Sequence, residues 1–246
     1  MTKLSVNLNK VALLRNQRNI GIPSLARAAR ICLQAGAHGI TVHPRPDQRH
    51  IRPADVEELA GMLEGAEFNI EGNPFSGPEG SYPGFMALAR RIRPTQCTLV
   101  PDAPGQVTSD HGWDLALHGR RLMPVVRELK ALGIRMSVFM DPVCEQIRRA
   151  AEVVGADRVE LYTEPYARAF DQGQADTVLA QYARAAGAAQ EAGLGVNAGH
   201  DLNLKNVGKF IAIPGILEVS IGHALIAEAL EMGLGATVQA YLKILG

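Results

Sequence analysis

Short apolar or β-branched runs alternate along this chain with longer segments whose apolar residues recur at helical spacing. The short runs predict strands at Leu4–Asn9, Gly39–His43, Phe68–Glu71, Cys97–Pro101, Arg135–Asp141, Arg158–Tyr162, Gly195–Ala198 and Glu218–Gly222. The longer segments predict helices at Ser24–Ala35, Pro53–Leu63, Phe85–Ile92, Asp114–Leu132, Glu145–Val154, Asp176–Ala192, Leu204–Phe210 and Ala224–Met232. A helix between successive strands returns the chain to the same end, so the strands pair in parallel. Eight such units fill the 246 residues with little left over. That predicts an α/β fold, a closed (β/α)8 TIM barrel occupying residues 1–246 as one domain. Gly36 and Gly193 stand just past helices, where a left-handed turn leads into the next strand. The least regular stretch is Gly72–Gly84, on the side where barrels carry active-site loops; its composition favours a solvated insertion over a lid.

Composition narrows the class. Apolar residues make up 47% and charged residues 20%, which supplies a sizeable core. Lys plus Arg (25) balances Asp plus Glu (25), so the basic excess of a general nucleic-acid or anionic-membrane binder is missing. Cys32, Cys97 and Cys144 are odd in number and far apart, which argues against a disulfide scaffold or a structural zinc. No apolar run approaches about 18 residues, and Met1 leads straight into strand-like sequence, so a soluble cytoplasmic protein without a membrane partner is expected.

Polar residues at the C-terminal ends of barrel strands face the active site. His43, His200 and His223 fall at or just after such ends, and His50 lies in the loop after His43. His38, His111 and His118 read as surface residues. Glu71 closes the third strand, and Glu160 lies inside the apolar run Val159-Glu-Leu-Tyr162. Burial disfavours a carboxylate's charge, which suits a proton carrier near neutrality; the alternative is a structural carboxylate bonded to an Arg. Asn7 and Asn9 share one face of a strand and predict a bonded polar ligand. Lys10, Arg18 and Arg45 bring positive charge to the same mouth and suit phosphate, whereas Arg15 reads as a surface salt bridge. Gly222-His223 opens an apolar helix after the last strand, a place where backbone N–H groups cradle phosphate. No His-x-His, His-Glu-x-x-His, Gly-x-Gly-x-x-Gly or Walker A pattern occurs, so neither a metal nor a nucleotide cofactor is expected.

Several of these segments together carry a resemblance. They are the first-strand stretch from Val6 to Arg18, the block His43-Pro-Arg45 with His50, Asn69-Ile-Glu71, Val196-Asn-Ala-Gly-His200 and Ser220-Ile-Gly-His223. Nearly the whole chain resembles the pyridoxine 5′-phosphate synthase family. The resemblance implies a (β/α)8 barrel with additional helices, assembled as a homo-octamer (a tetramer of dimers). It implies condensation of 3-amino-2-oxopropyl phosphate with 1-deoxy-D-xylulose 5-phosphate to pyridoxine 5′-phosphate, phosphate and water, without metal or organic cofactor. By the same resemblance Glu71 and His43 are acid–base residues, His200 is a proton donor and Glu160 assists the transition state. Asn7, Arg18, Gly222 and His223 match positions that hold the aminoketone phosphate; Arg45, His50 and Thr108 match those that hold the ketose phosphate. A loop corresponding to Pro101–Asp110 closes over the site. The chain departs from many members at Asn9-Lys10, in place of Asp-His, and at Asp201, in place of Gly. A carboxylate at Asp201 would repel a phosphate and attract a substrate amine. Gly72–Gly84 is longer than the family's corresponding connection.

Two other readings fit part of the pattern. An aldolase would use Lys10 as a Schiff-base nucleophile. A non-catalytic phosphometabolite-binding barrel would keep the cations and Gly222-His223 but would not need Glu71, His43 and His200 together.

Overall fold

A computed structural model describes residues 1–18, 20–63 and 65–246. Eight parallel strands close on themselves: β1 (Lys3–Asn7), β2 (Gly39–Val42), β3 (Glu67–Gly72), β4 (Gln96–Leu99), β5 (Arg135–Met140), β6 (Arg158–Tyr162), β7 (Gly195–Gly199) and β8 (Ile216–Ile221), with β1 hydrogen-bonded to β8. The helices are α1 (Asn9–Asn16), α2 (Leu25–Gln34), α3 (Pro53–Met62), α4 (Phe85–Ile92), α5 (Leu115–Ala131), α6 (Cys144–Arg149), α7 (Glu164–Asp171), α8 (Ala175–Glu191), α9 (Val207–Phe210), α10 (His223–Met232) and α11 (Leu234–Leu245). A π-helical turn, Ala150–Val154, continues α6.

The strand period of two divides the core. Leu4, Val6, Ile40, Val42, Ile70, Leu99, Val138, Val159, Leu161 and Val219 are wholly buried on the face that meets the helices. The alternate positions point into the barrel and are largely polar. Ser5 and Thr41 hydroxyls lie 2.7 Å apart, Asn69 Nδ2 donates to Thr41 Oγ1, and Thr98 Oγ1 donates to Asn69 Oδ1 at 3.2 Å. Short hydroxyl and amide side chains, all buried, thus satisfy one another across four strands. The lower end is closed by charge: Arg135 pairs with Glu67, and Arg158 lies 3.6 Å from Glu218.

The first strand is shorter than its sequence predicts. It ends at Asn7, and Asn9 is the first residue of α1, so the expected two-residue alternation of Asn7 and Asn9 on one strand does not occur. Asn7 Oδ1 accepts the Asn9 N–H at 3.0 Å and turns the chain into the helix. Three helices, α1, α7 and α11, were absent from the eight-unit pattern and are the additional ones. The predicted helix at Leu204–Phe210 shrinks to α9, because Asn203 Oδ1 takes the N–H groups of Lys205 and Asn206 and holds a turn there. Gly36 and Gly193 do adopt positive φ. In Gly72–Gly84 the tip is exposed, but Tyr82 is buried and pairs with Glu79, so the segment is not simply a solvated insertion. Among the described residues no helix is long and apolar enough to cross a membrane.

Candidate active site

Parallel strands deliver all their C-terminal ends to one rim, and a cavity of about 540 Å³ opens there. Every residue singled out in the sequence lines it except Arg18, which is exposed beyond the end of α1. Asn7, Asn9 and Lys10 come from the β1–α1 turn; His43, Arg45 and His50 from β2 and its loop; Glu71 from β3; and Glu160 from β6. His200 and Asp201 follow β7, Gly222 and His223 follow β8, and Thr108 reaches in from the loop after β4.

His43 is the centre of the upper layer. Its N–H donates to Asn9 Oδ1 at 2.9 Å, which ties the β2 end to α1. Its ring lies between two carboxylates: Nδ1 is 3.8 Å from Glu71 Oε2, and Nε2 is 3.8 Å from Asp102 Oδ2. Burial, and then the nearby Arg45, His50 and Arg49, hold the imidazole well below its usual pKa, so it is neutral at neutral pH. Burial first and then Asp102 push Glu71 up to about 8, against the pull of Arg45. At pH 7 Glu71 therefore carries a proton, and a carboxylic acid faces a neutral imidazole. Asn7 Nδ2 donates to Glu71 Oε2 at 3.4 Å and fixes its direction.

Glu160 lies deeper, only 3% exposed. Burial, then Glu71 and Glu218, raise its pKa well above the ordinary carboxylate value, and its Oε2 lies 3.4 Å from Thr98 Oγ1. Among the described residues no contact at Glu160 meets the alternative of a carboxylate bonded to an Arg; Glu218, at the opposite end near Arg158, fits that description instead. The small residue in Asn197-Ala-Gly-His200 has a reason here. A Cβ on Gly199 would run into Glu160 Oε1 and approach the Ser220 carbonyl at 3.0 Å, so only glycine leaves room for that carboxyl. Gly222 likewise packs against Asn7, whose side-chain atoms would lie 3.1–3.3 Å from an added Cβ.

On the far rim His200 Nε2 lies 2.8 Å from Thr108 Oγ1, and His200 Nδ1 lies 2.9 Å from Asp201 Oδ2. The ring also packs edge-on to Tyr162. His200 and Asp201 adopt φ of +91° and +60°, conformations that side chains rarely occupy. The hydrogen bond from His200, with Lys10 and His223 nearby, holds the Asp201 carboxyl below its ordinary pKa. Positive charge gathers across the cavity: Arg45 is 6% exposed, and it donates to the Gln106 carbonyl, which Arg49 also reaches. The Pro101–Asp110 loop is thereby pinned over the mouth. Burial and the cations push His50 down to about 3, so it is a neutral hydrogen-bonding group.

Two features escaped the sequence reading. Asp102, buried and paired with Arg45, follows Pro101 in a Pro- and Gly-containing stretch that reads as a turn. Its one signal was its place immediately after the apolar strand run that ends at Pro101. Arg15 is no surface residue: it binds both oxygens of Asp55 and the His50 carbonyl, with only about a tenth of either charged side chain exposed. That pair clamps α1 to the first turn of α3, and the contact with the His50 carbonyl ties in the loop before it. His38 is half-buried and accepts the Leu4 N–H on Nδ1. His118 is also half-buried, with its ring edge-on to Trp113.

The profile of the family described as pyridoxal phosphate biosynthesis protein PdxJ matches residues 4–246. A protein named pyridoxine 5′-phosphate synthase from Xanthomonas axonopodis pv. citri (strain 306) is 58% identical, covering 99% of this chain and 96% of its own. One of the same name from Xylella fastidiosa (strain M23) is 55% identical, covering 99% and 95%. Among solved structures, a tryptophan synthase from M. tuberculosis superposes with a TM-score of 0.62 at 14% identity, covering 97% of this chain and 90% of that one. A phosphoribosyl anthranilate isomerase from Thermotoga maritima gives 0.58 at 13%, covering 99% and 98%. At such identities these two likenesses speak for the barrel alone.

Proposed function

Because the chain belongs to the PdxJ family of pyridoxal phosphate biosynthesis proteins, we propose that it is a pyridoxine 5′-phosphate synthase. It condenses 3-amino-2-oxopropyl phosphate with 1-deoxy-D-xylulose 5-phosphate, giving pyridoxine 5′-phosphate, phosphate and water. The observation that carries the assignment of roles is the meeting of His43, Glu71, Glu160 and His200 around one cavity that Lys10, Arg45 and Arg49 also line.

The chemistry calls for such a set. An amine attacks a ketone, waters and a phosphate leave, and a ring closes; every step moves a proton. Protonated Glu71 can give a proton and neutral His43 can accept one, so the pair serves both directions of transfer. His200, held between Thr108 and Asp201, is the donor at the opposite rim. Glu160, a buried neutral acid, stabilises developing negative charge from below. Asn7, Gly222 and His223 hold the aminoketone phosphate, Arg18 standing outside the cavity, and Arg45, His50 and Thr108 hold the ketose phosphate. Lys10 adds a point charge beside Asn9. Asp201 draws the substrate amine towards His200 and away from the phosphate sites. The Pro101–Asp110 loop keeps water from the intermediates.

The protein works as one barrel domain over residues 1–246, in the cytoplasm, on small phosphorylated substrates. It assembles as a homo-octamer, a tetramer of dimers; the exposed Leu14, Ile20, Ile22 and Leu230 supply apolar surface for the contacts. The deciding experiment mixes purified protein with both phosphorylated substrates and follows the absorbance of pyridoxine 5′-phosphate. Product formation at a rate proportional to enzyme supports the reading, and its absence overturns it.

A further inference from the structure

Asp102 is a buried carboxylate just after β4 with no part in the scheme above. It is 6% exposed, its Oδ2 is held by Arg45 and by Ser109 Oγ at 2.9 Å, and its Oδ1 is buried without a partner among the described residues. The same Oδ2 is 3.8 Å from His43 Nε2, just beyond a hydrogen bond. A buried carboxylate with one atom unsatisfied is poised to move, because the group gains a bond wherever a donor comes within reach. Arg45, for its part, is a guanidinium lining the cavity whose anion partner comes from its own chain.

We propose that Asp102 stands in for a substrate phosphate on Arg45 and is a positioning residue for His43. An arriving phosphate dianion offers Arg45 more charge and more acceptor oxygens than one carboxylate, and takes its place. The displaced carboxylate, still held by Ser109 Oγ, then has His43 Nε2–H as the next donor within reach. That bond fixes the tautomer with the proton on Nε2 and leaves the Nδ1 lone pair facing Glu71, as a proton acceptor requires. Phosphate binding and orientation of the base are thereby one event. When phosphate leaves, Asp102 returns to Arg45 and the site resets. The inference rests on the synthase reading only for what the oriented base then does.

The test compares the full-length wild type with Asp102→Asn and Asp102→Glu. Inorganic phosphate, titrated calorimetrically, is expected to bind Asp102→Asn about tenfold more tightly, since no internal carboxylate competes for Arg45. Asp102→Glu should bind as the wild type does. In turnover, Asp102→Asn should lower one substrate's KM and at the same time lower kcat at least about tenfold, with kcat restored in Asp102→Glu. A merely structural role would not produce that opposed split. Crystals of the wild type soaked in phosphate give a measurement independent of variant folding: phosphate on Arg45 with Asp102 within hydrogen-bond distance of His43 Nε2 supports the exchange. Phosphate that leaves the Arg45–Asp102 pair intact, or unchanged phosphate affinity in Asp102→Asn, overturns it. The titration and the soak need no turnover, so an exchange seen in a protein that makes no pyridoxine 5′-phosphate would fault the functional reading alone.

Discussion

Nδ1 of His43 stands 3.8 Å from Oε2 of Glu71, and burial drives the two groups' pKa values in opposite senses. Each is neutral at pH 7, so one proton can pass between them, or between either and the substrate, without a charge being buried unpaired. Glu71→Gln keeps the shape and the Asn7 contact but can neither give nor regain a proton. Turnover is expected to fall by about 10²–10⁴, while calorimetric affinity for either phosphorylated substrate stays within about threefold of the wild type. Full activity in that variant would remove Glu71 from the proton path.

The same residue writes a pH dependence into stability. Its folded-state value of about 8 exceeds its ordinary value of 4.5, so the folded protein holds a proton that the unfolded chain gives up between those values. Stability from Glu71 is thus complete below about pH 4.5 and is lost as the pH rises through 8. Glu71→Gln lacks this loss. Thermal melts should show variant and wild type nearly together at pH 5, with the variant ahead by on the order of 3 kcal/mol, or roughly 6–12 °C, at pH 8. Parallel melting curves at every pH would contradict the assignment.

The barrel was legible because its signal is periodic: β-branched runs and helical spacing survive small errors of boundary, as β6 at Arg158–Tyr162 illustrates. The strand-end rule then gathered His43, Glu71 and His200 from segments far apart in the chain. What escaped depends on three-dimensional partners. Asn9 looked like a strand residue because nothing local reveals that Asn7 would cap the turn with its side chain. Asp102 and Arg15 carry meaning only through Arg45 and Asp55, which lie 57 and 40 residues away. Gly199 reads as a flexible strand end until the Glu160 carboxyl is seen in the space a methyl would need.

That glycine yields a sharper test. Gly199→Ala drives a methyl group into the position of Glu160 Oε1. The overpacking should cost about 1–3 kcal/mol and move the carboxyl, lowering kcat. If the collision is with Glu160 in particular, Glu160→Ala should relieve it, so the double variant is more stable than additivity of the two single variants predicts by about 1 kcal/mol. Strict additivity in chemical denaturation would place the strain elsewhere, at the Ser220 carbonyl.

Lys10 discriminates between chemistries. It stands in the first turn of α1, at the cavity wall, beside the amide of Asn9. As a phosphate contact it should stay unmodified when borohydride is added with the ketose phosphate, and intact-mass measurement should show no reduced adduct. Lys10→Ala should weaken phosphate binding by roughly 1–2 kcal/mol, an effect that shrinks as salt rises. An adduct on Lys10 that disappears in Lys10→Ala would favour the aldolase instead.

Asp201 sets function against stability. Its φ of +60° is one that glycine adopts without strain and most side chains avoid, yet its carboxylate holds His200 Nδ1 at 2.9 Å. Asp201→Gly relieves the backbone and removes the imidazole's orienting partner together. The melting temperature should rise by roughly 2–4 °C, equivalent to about 1 kcal/mol, while kcat falls about tenfold or more because the ring is free to turn between Thr108 and solvent. Asp201→Asn separates the two contributions: it keeps the strained backbone and an acceptor oxygen but loses the charge, so its melting temperature should not rise and its kcat should lie between the other two. A stabilised Asp201→Gly protein with undiminished kcat would show that the carboxylate is dispensable for orienting His200.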